Sequence, residues 1–407
     1  MFSSRITARV TVFSAAFGLL SANNARAAET LKEALEESKL LVNWRLRYEG
    51  VEQTGFAEDA DPMTTRIRAG VQTGEWGSTS LLAEIVGVES VSGDYNSTLN
   101  GDTQFPVVAD PDDIVALNRF AITNKSLENT TLTLGRQRII LDDARFVGNV
   151  GWRQFEQTYD GLRAVIGGND SVKVDLAYIS QVNRIFGPDS PAGKFDGDIV
   201  LANVSKSFDI GTLTGFAYGV DLEQAAALST NTVGVRLTGS KPLGGMSGIY
   251  TASVAQQTDT GNNTADLSET YFKLEGGLTF GKTTVALGLE QLGSDGVNTV
   301  TTPLATLHAF QGWADKFLGT PAEGMDDSYA RFAWQGGAAG PFTGISLAAV
   351  YHVFDADYGS AHYGDEIDVS LVARTQRASF TLKYATYDAD QLFTDTDKVW
   401  LSMDYSF

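Results

Sequence analysis

Residues 42–48 read VNWRLRY, which sets Val42, Trp44, Leu46 and Tyr48 on one face of an extended chain and Asn43, Arg45 and Arg47 on the other. The same two-residue period returns where Arg66 and Arg68 alternate with Ile67, Ala69 and Val71. It returns again at the end of the chain, where Val399, Leu401, Met403, Tyr405 and Phe407 face away from Lys398, Ser402, Asp404 and Ser406. Followed outward from residue 42, the period marks eighteen strands, from 39–49, 63–73 and 79–89 through to 366–374, 377–387 and 397–407. The segments between them alternate without a break between long polar stretches, such as 140–158 and 293–326, and short turns, such as Gly281-Lys282. A soluble sandwich has no reason to sort its loops by parity. An outer-membrane barrel does: it needs an even strand number, short periplasmic turns and long external loops. The predicted fold is all-β, a single closed antiparallel transmembrane barrel of about eighteen strands.

Composition narrows the chemistry. The 407 residues include 42 glycines, three histidines and no cysteine, which excludes a disulfide scaffold, a thiol nucleophile and a Cys-ligated metal. No metal, cofactor or catalytic group is expected, and the chain reads as a protein that is not an enzyme. A formal charge of -20 argues against nucleic acid as a partner, because phosphate contact needs a basic face.

Arg5 and Arg9 precede the apolar run Val10 to Leu20, and Ala25-Arg26-Ala27 has the small-x-small form of a cleavage site. Residues 1–27 therefore read as a signal peptide, 28–38 as a short periplasmic segment, and 39–407 as the barrel. Thr30 and Glu33 form a capping-box pattern ahead of a short helix. The expected location is the Gram-negative outer membrane, as an integral multi-pass barrel surrounded by lipid and lipopolysaccharide. Phe407, on the apolar face of the last strand, is the expected signal to the outer-membrane assembly machinery.

Lipid cannot satisfy a backbone, so the apolar face of each strand points outward and the polar face into the lumen. Alternation assigns Arg45, Arg47, Arg66, Arg68, Arg163, Arg236, Arg331 and Arg374 to the lumen, with Glu84, Asp175, Glu275 and Glu290 as acidic partners. Cations outnumber acids on this face although the chain is acidic overall. A basic lumen favours anions. The competing reading is that each arginine is neutralised by a neighbour and holds the wall.

Two segments are more than turns. Residues 135–161, GRQRIILDDARFVGNVGWRQFEQTYDG, carry Arg136, Arg138, Arg145 and Arg153 with Asp142 and Asp143. Arg136 and Arg138 share the phase of Leu132 and Leu134, so a bulge near Gly135 is expected to turn them inward. Residues 301–321, TTPLATLHAFQGWADKFLGTP, place Leu304, Leu307, Ala314 and Phe317 on one stripe behind Thr302 and Pro303, which predicts an amphipathic helix.

At these blocks, and at the opening strand with its LRYE, the sequence resembles the alginate export family of outer-membrane barrels. The resemblance implies an eighteen-stranded barrel with an arginine-lined constriction that passes an anionic polysaccharide. Arg136, Arg138, Arg145 and Arg153 match its block. The reading is an anion-preferring outer-membrane channel for anionic polysaccharide or small anionic solutes. The alternatives are a general porin for small anionic nutrients and a surface receptor or adhesion barrel.

Overall fold

In a computed structural model that describes residues 30–168 and 171–407, a short helix α1 (Leu31–Glu36) precedes eighteen strands. The predicted signal peptide lies outside the described residues. In α1 the Thr30 side chain accepts from the Glu33 amide and the Glu33 carboxylate accepts from the Thr30 amide, so the capping box is closed at both ends.

The strands are β1 (Lys39–Gln53), β2 (Met63–Gln72), β3 (Thr79–Ser92), β4 (Asp113–Asn124), β5 (Thr130–Gln137), β6 (Thr158–Gly167), β7 (Lys173–Asn183), β8 (Lys194–Phe208) and β9 (Gly211–Leu222). They continue as β10 (Thr230–Leu243), β11 (Met246–Asp259), β12 (Ser268–Phe280), β13 (Thr283–Leu292), β14 (Met325–Gln335), β15 (Gly344–Asp355), β16 (His362–Arg374), β17 (Ala378–Ala389) and β18 (Thr396–Ser406). Every strand pairs antiparallel with its sequence neighbours, and β1 pairs with both β2 and β18, so the sheet closes and has no free edge. The β12–β13 connection is the two residues Gly281 and Lys282, with Gly281 at φ 58°, the left-handed geometry a tight hairpin needs.

The pleat divides the side chains as the alternation predicted. Ile67, Leu134, Val235, Leu287 and Leu401 stand exposed on the outer wall, while Arg45, Arg47, Arg66 and Arg68 are buried inside. The lumen is not an open pipe. The loop between β5 and β6, residues 138–157 (L3), and the loop between β13 and β14, residues 293–324 (L7), fold inward and share one apolar core with the wall. Ile139, Leu141 and Val147 of L3 and Val300, Leu304, Trp313 and Phe317 of L7 join Ile179, Ile199, Tyr218, Tyr271, Phe354 and Trp400 of the strands. The loops also bond to each other: Gly148 N donates to Leu304 O at 2.8 Å and Thr306 N to Ala144 O at 3.0 Å.

Two local expectations fail. L7 holds only a single turn of 3-10 helix, Leu307–Ala309, because Gln311, Gly312 and Asp315 take φ of 48°, 79° and 59°, which no helix tolerates. Leu304, Ala314 and Phe317 are buried all the same, packed as a compact loop. Gly135 does take φ 115°, and a Cβ there would lie 2.3 Å from Phe120 O, yet the ladder runs through it without slipping. Register shifts near this segment fall instead between Glu84 and Ile85 opposite β4, which leaves Asn118 without a partner in the ladder, and between Asp160 and Gly161 opposite β7.

Candidate functional site

Four arginines form a row on adjacent strands. In the β1–β2 ladder Arg45 lies opposite Arg66 and Asn43 opposite Arg68, with Arg47 two residues beyond Arg45 on the same face. Their acids are few. Arg45 Nε donates to Asp404 Oδ1 at 2.7 Å, and its Nη1 reaches the Trp152 carbonyl of L3 at 2.9 Å. Arg66 lies 3.5 Å from the same Asp404 and bonds Asn43; Arg68 lies 3.5 Å from Glu156. Arg47 enters no ion pair among the described residues; its guanidinium lies 4.1 Å from the Trp152 ring. Nε and Nη1 of Arg47, Nε and Nη1 of Arg66, and Nε and Nη2 of Arg68 are buried without a hydrogen-bond partner. Six such donors in one row are an unmet demand for an acceptor, since a buried charged donor left unpaired costs several kcal/mol.

The other arginines assigned to the lumen, Arg374 apart, are tied to acids. Arg153 reaches into the wall, with Nη1 3.1 Å from Glu49 Oε2 and Nη2 2.8 Å from Asp315 Oδ2. Arg138 grips Glu156 through two bonds, one of 2.6 Å. Burial alone would raise the Glu156 carboxyl, but Arg68 and Arg138 hold it well below the usual carboxylate range. Arg145 lies 2.5 Å from Glu290, bonds Thr302 at 3.0 Å and sits 4.8 Å from the Phe310 ring, so it clamps L3 to L7 inside the apolar core. Arg163 is bidentate to Asp175 at 2.8 and 2.6 Å, Arg331 bonds Glu275 at 2.7 Å, and Arg236 pairs with Asp143. Asp142 accepts from Asn203 at 2.8 Å, Glu84 holds Arg119 at 2.8 Å, and Glu290 takes Lys273 at 3.0 Å.

Two assignments are corrected. Arg136 pairs in the ladder with Phe120 and Asp160, on the phase of the exposed Leu134 and Leu162, so it faces outward and is bidentate to Asp160 at 2.8 and 2.7 Å. Arg374 keeps the inward phase but lies at the last residue of β16, exposed, with only a 3.3 Å bond to Ser346. Alternation also missed Arg119: strict parity from Ile114 and Ala116 sends it outward, and the bulge at Asn118 turns it in. No feature of the β4 sequence marks that bulge.

L7 meets the wall through polar atoms. Trp313 N donates to Asp368 at 3.2 Å and Ala314 N to Glu366 Oε1 at 2.7 Å. His308 Nδ1 lies 2.7 Å from Asp315 Oδ1 and its Nε2 lies 2.5 Å from Lys383 Nζ. These partners fix the tautomer: Lys383 donates to Nε2, and Nδ1–H donates to Asp315. Burial pushes the imidazole down to about 3, so the ring is neutral. Asp315, which burial would raise, is held well below its ordinary value by His308, Lys398 and Arg153. His352 and His362 pair with Asp327 and Asp355 at 2.8 and 2.9 Å.

No family model matches the chain, and no curated protein matches it. Solved structures do. The Pseudomonas aeruginosa OpdK structure with vanillate superposes with a TM-score of 0.71 at 16% identity, covering 92% of this chain and 99% of its own. The fold is that of outer-membrane porins. OccK9 (OpdG) of the same organism gives a TM-score of 0.69 at 15% identity over 92% of this chain and 99% of that one. OccK2 (OpdF) in complex with glucuronate gives 0.66 at 14% over the same shares. These neighbours support a porin-like barrel and do not single out the alginate export family.

Proposed function

We propose that this barrel is an outer-membrane channel for small carboxylate-bearing anions, which pass along the wall of β1 and β2. The observation that carries the reading is the row Arg45, Arg47, Arg66 and Arg68, in which six buried nitrogens of Arg47, Arg66 and Arg68 lack acceptors, while Arg138, Arg145, Arg153, Arg163, Arg236 and Arg331 are each paired with an acid. A carboxylate accepts two parallel N–H bonds from a guanidinium, and its charge offsets the desolvation that burial imposes. Several adjacent guanidinium groups let an anion step from one to the next, whereas one deep site would trap it. Vanillate and glucuronate, held by the two neighbours, carry this chemistry. Anionic polysaccharide is the alternative cargo that the resemblance implies; the inward fold of L3 and L7 favours small solutes over a polymer.

The test is a planar bilayer recording in a potassium chloride gradient, with and without glucuronate or vanillate. The expected result is a reversal potential of anion sign and a current that both acids reduce. A cation-sign potential, or a current indifferent to both acids, overturns the reading. Passage of a long oligouronate would assign the cargo to polymer.

A further inference from the structure

Arg47 is held in place by contacts that originate far from it in the sequence. Its guanidinium lies over the indole of Trp152 in L3. That indole lies flat against His308 of L7, with centroids 4.5 Å apart and planes within 5°. His308 is in turn fixed at both nitrogens, by Asp315 within its own loop and by Lys383 on β17. The Lys383 amino group sits among three indoles, 3.7 Å from Trp313, 4.4 Å from Trp152 and 5.4 Å from Trp400. Trp400 closes the group edge-on, 5.8 Å from Trp152 and 5.6 Å from His308.

We infer that Lys383 is a positioning residue for the anion path: acting through His308 and Trp152, it sets the pedestal on which Arg47 is presented. The inference rests on the proposed anion channel. The physical reason is rotational. A stacked pair of flat rings resists tilting but slides and spins easily, so something must fix the lower ring. Asp315 alone leaves His308 a hinge about one hydrogen bond. The second bond from Lys383, on the opposite ring nitrogen, removes that freedom because β17 is a rigid element of the closed wall. A methylene stem without the amino group fills the same space among the indoles and leaves His308 Nε2 without its donor.

The test is a double-mutant cycle read by glucuronate block of the current, using K383M and H308Q. K383M is expected to raise the half-blocking glucuronate concentration roughly fivefold to tenfold, the size of one lost oriented cation–ring contact. The double variant should be no weaker than either single variant, because both break the same path. The indole signal in near-ultraviolet circular dichroism should fall in both single variants. If wild-type current is not blocked by glucuronate, the anion-channel reading itself fails. If wild type is blocked and K383M is blocked equally well, or the two losses add, the positioning role is wrong. Should K383M fail to assemble, H308Q alone decides: unchanged block overturns the inference, and weaker block with a reduced indole signal supports it.

Discussion

Trp152 and His308, 156 residues apart in the chain, lie 4.5 Å apart and parallel, and they join the two inward loops at one point. Arg153, the next residue, bonds Asp315 on the same L7 segment. The two loops therefore form one body, tied to β1 through Glu49 and to β17 through Lys383. The proposed anion path, if it runs between that body and the β1–β2 wall, narrows or widens with both loops together.

The arginine row and the paired arginines respond differently to substitution. R47M removes a cation with no acid partner, so nothing is orphaned, the barrel keeps its stability, and the reversal potential moves toward cations. E275Q/R331Q removes a neutral pair and leaves the reversal potential within a few millivolts of wild type. Equal shifts in the two variants would show that the field is spread over the whole lumen.

R153M is expected to act on stability first. It strands the buried Glu49 and leaves the buried Asp315 to His308 and Lys398, and loss of one partner from a buried pair costs about 3–5 kcal/mol. The heat-modifiable folded band on gels should disappear at a lower temperature than in wild type, and E49Q/R153M should recover part of the loss. An unchanged transition temperature would mean water reaches these carboxylates.

Strand positions, closure and inward phase were legible because a barrel wall obeys a single rule, with every second residue facing lipid. What lay beyond that rule was not. Whether Arg145 is free or clamped depends on Glu290, and whether Arg153 is free depends on Glu49 and Asp315; these partners arrive from segments more than 100 residues away. The inward turn of Arg119 depends on a bulge that alternation does not encode, and Arg136 stays outward, on the phase of Leu134, because no bulge forms at Gly135. The L7 stripe had the spacing of a helix, but its apolar residues pack in a loop whose backbone is turned by three left-handed residues.

Acid should weaken the folded barrel through His308. Its pKa is depressed from 6.5 to about 3, so an unfolded chain takes up a proton that the folded one refuses. Stability from this group is fully present above pH 6.5 and is lost as pH falls toward 3, by at most about 1.4 kcal/mol per pH unit. Asp315, depressed in the folded state, adds a loss of the same sign at lower pH. Thermal unfolding in detergent between pH 7 and 4 should show this decline, and H308Q should flatten its upper part. Because the ring stays neutral, anion selectivity should not change through this group between pH 8 and 5.

At Gly312 L7 lies directly against the wall. Its φ is 79°, and a Cβ there would lie 2.3 Å from Glu366 Oε2. A methyl group is therefore excluded twice, by the backbone region that only glycine enters freely and by the carboxylate against it. The strain falls on the segment whose next two amides, of Trp313 and Ala314, bond Asp368 and Glu366. In G312A the cheapest relief is for this segment to lift from β16, which breaks those two bonds while the eighteen-strand ladder stays intact. Single-channel conductance should then rise and fluctuate more, since the loops narrow the lumen, while the fully folded band remains on gels. Because Trp313 and Asp315 move with Gly312, anion selectivity should fall in the same variant. If G312A assembles and its conductance, noise and selectivity all match wild type, contact of L7 with Glu366 does not set the width of the passage.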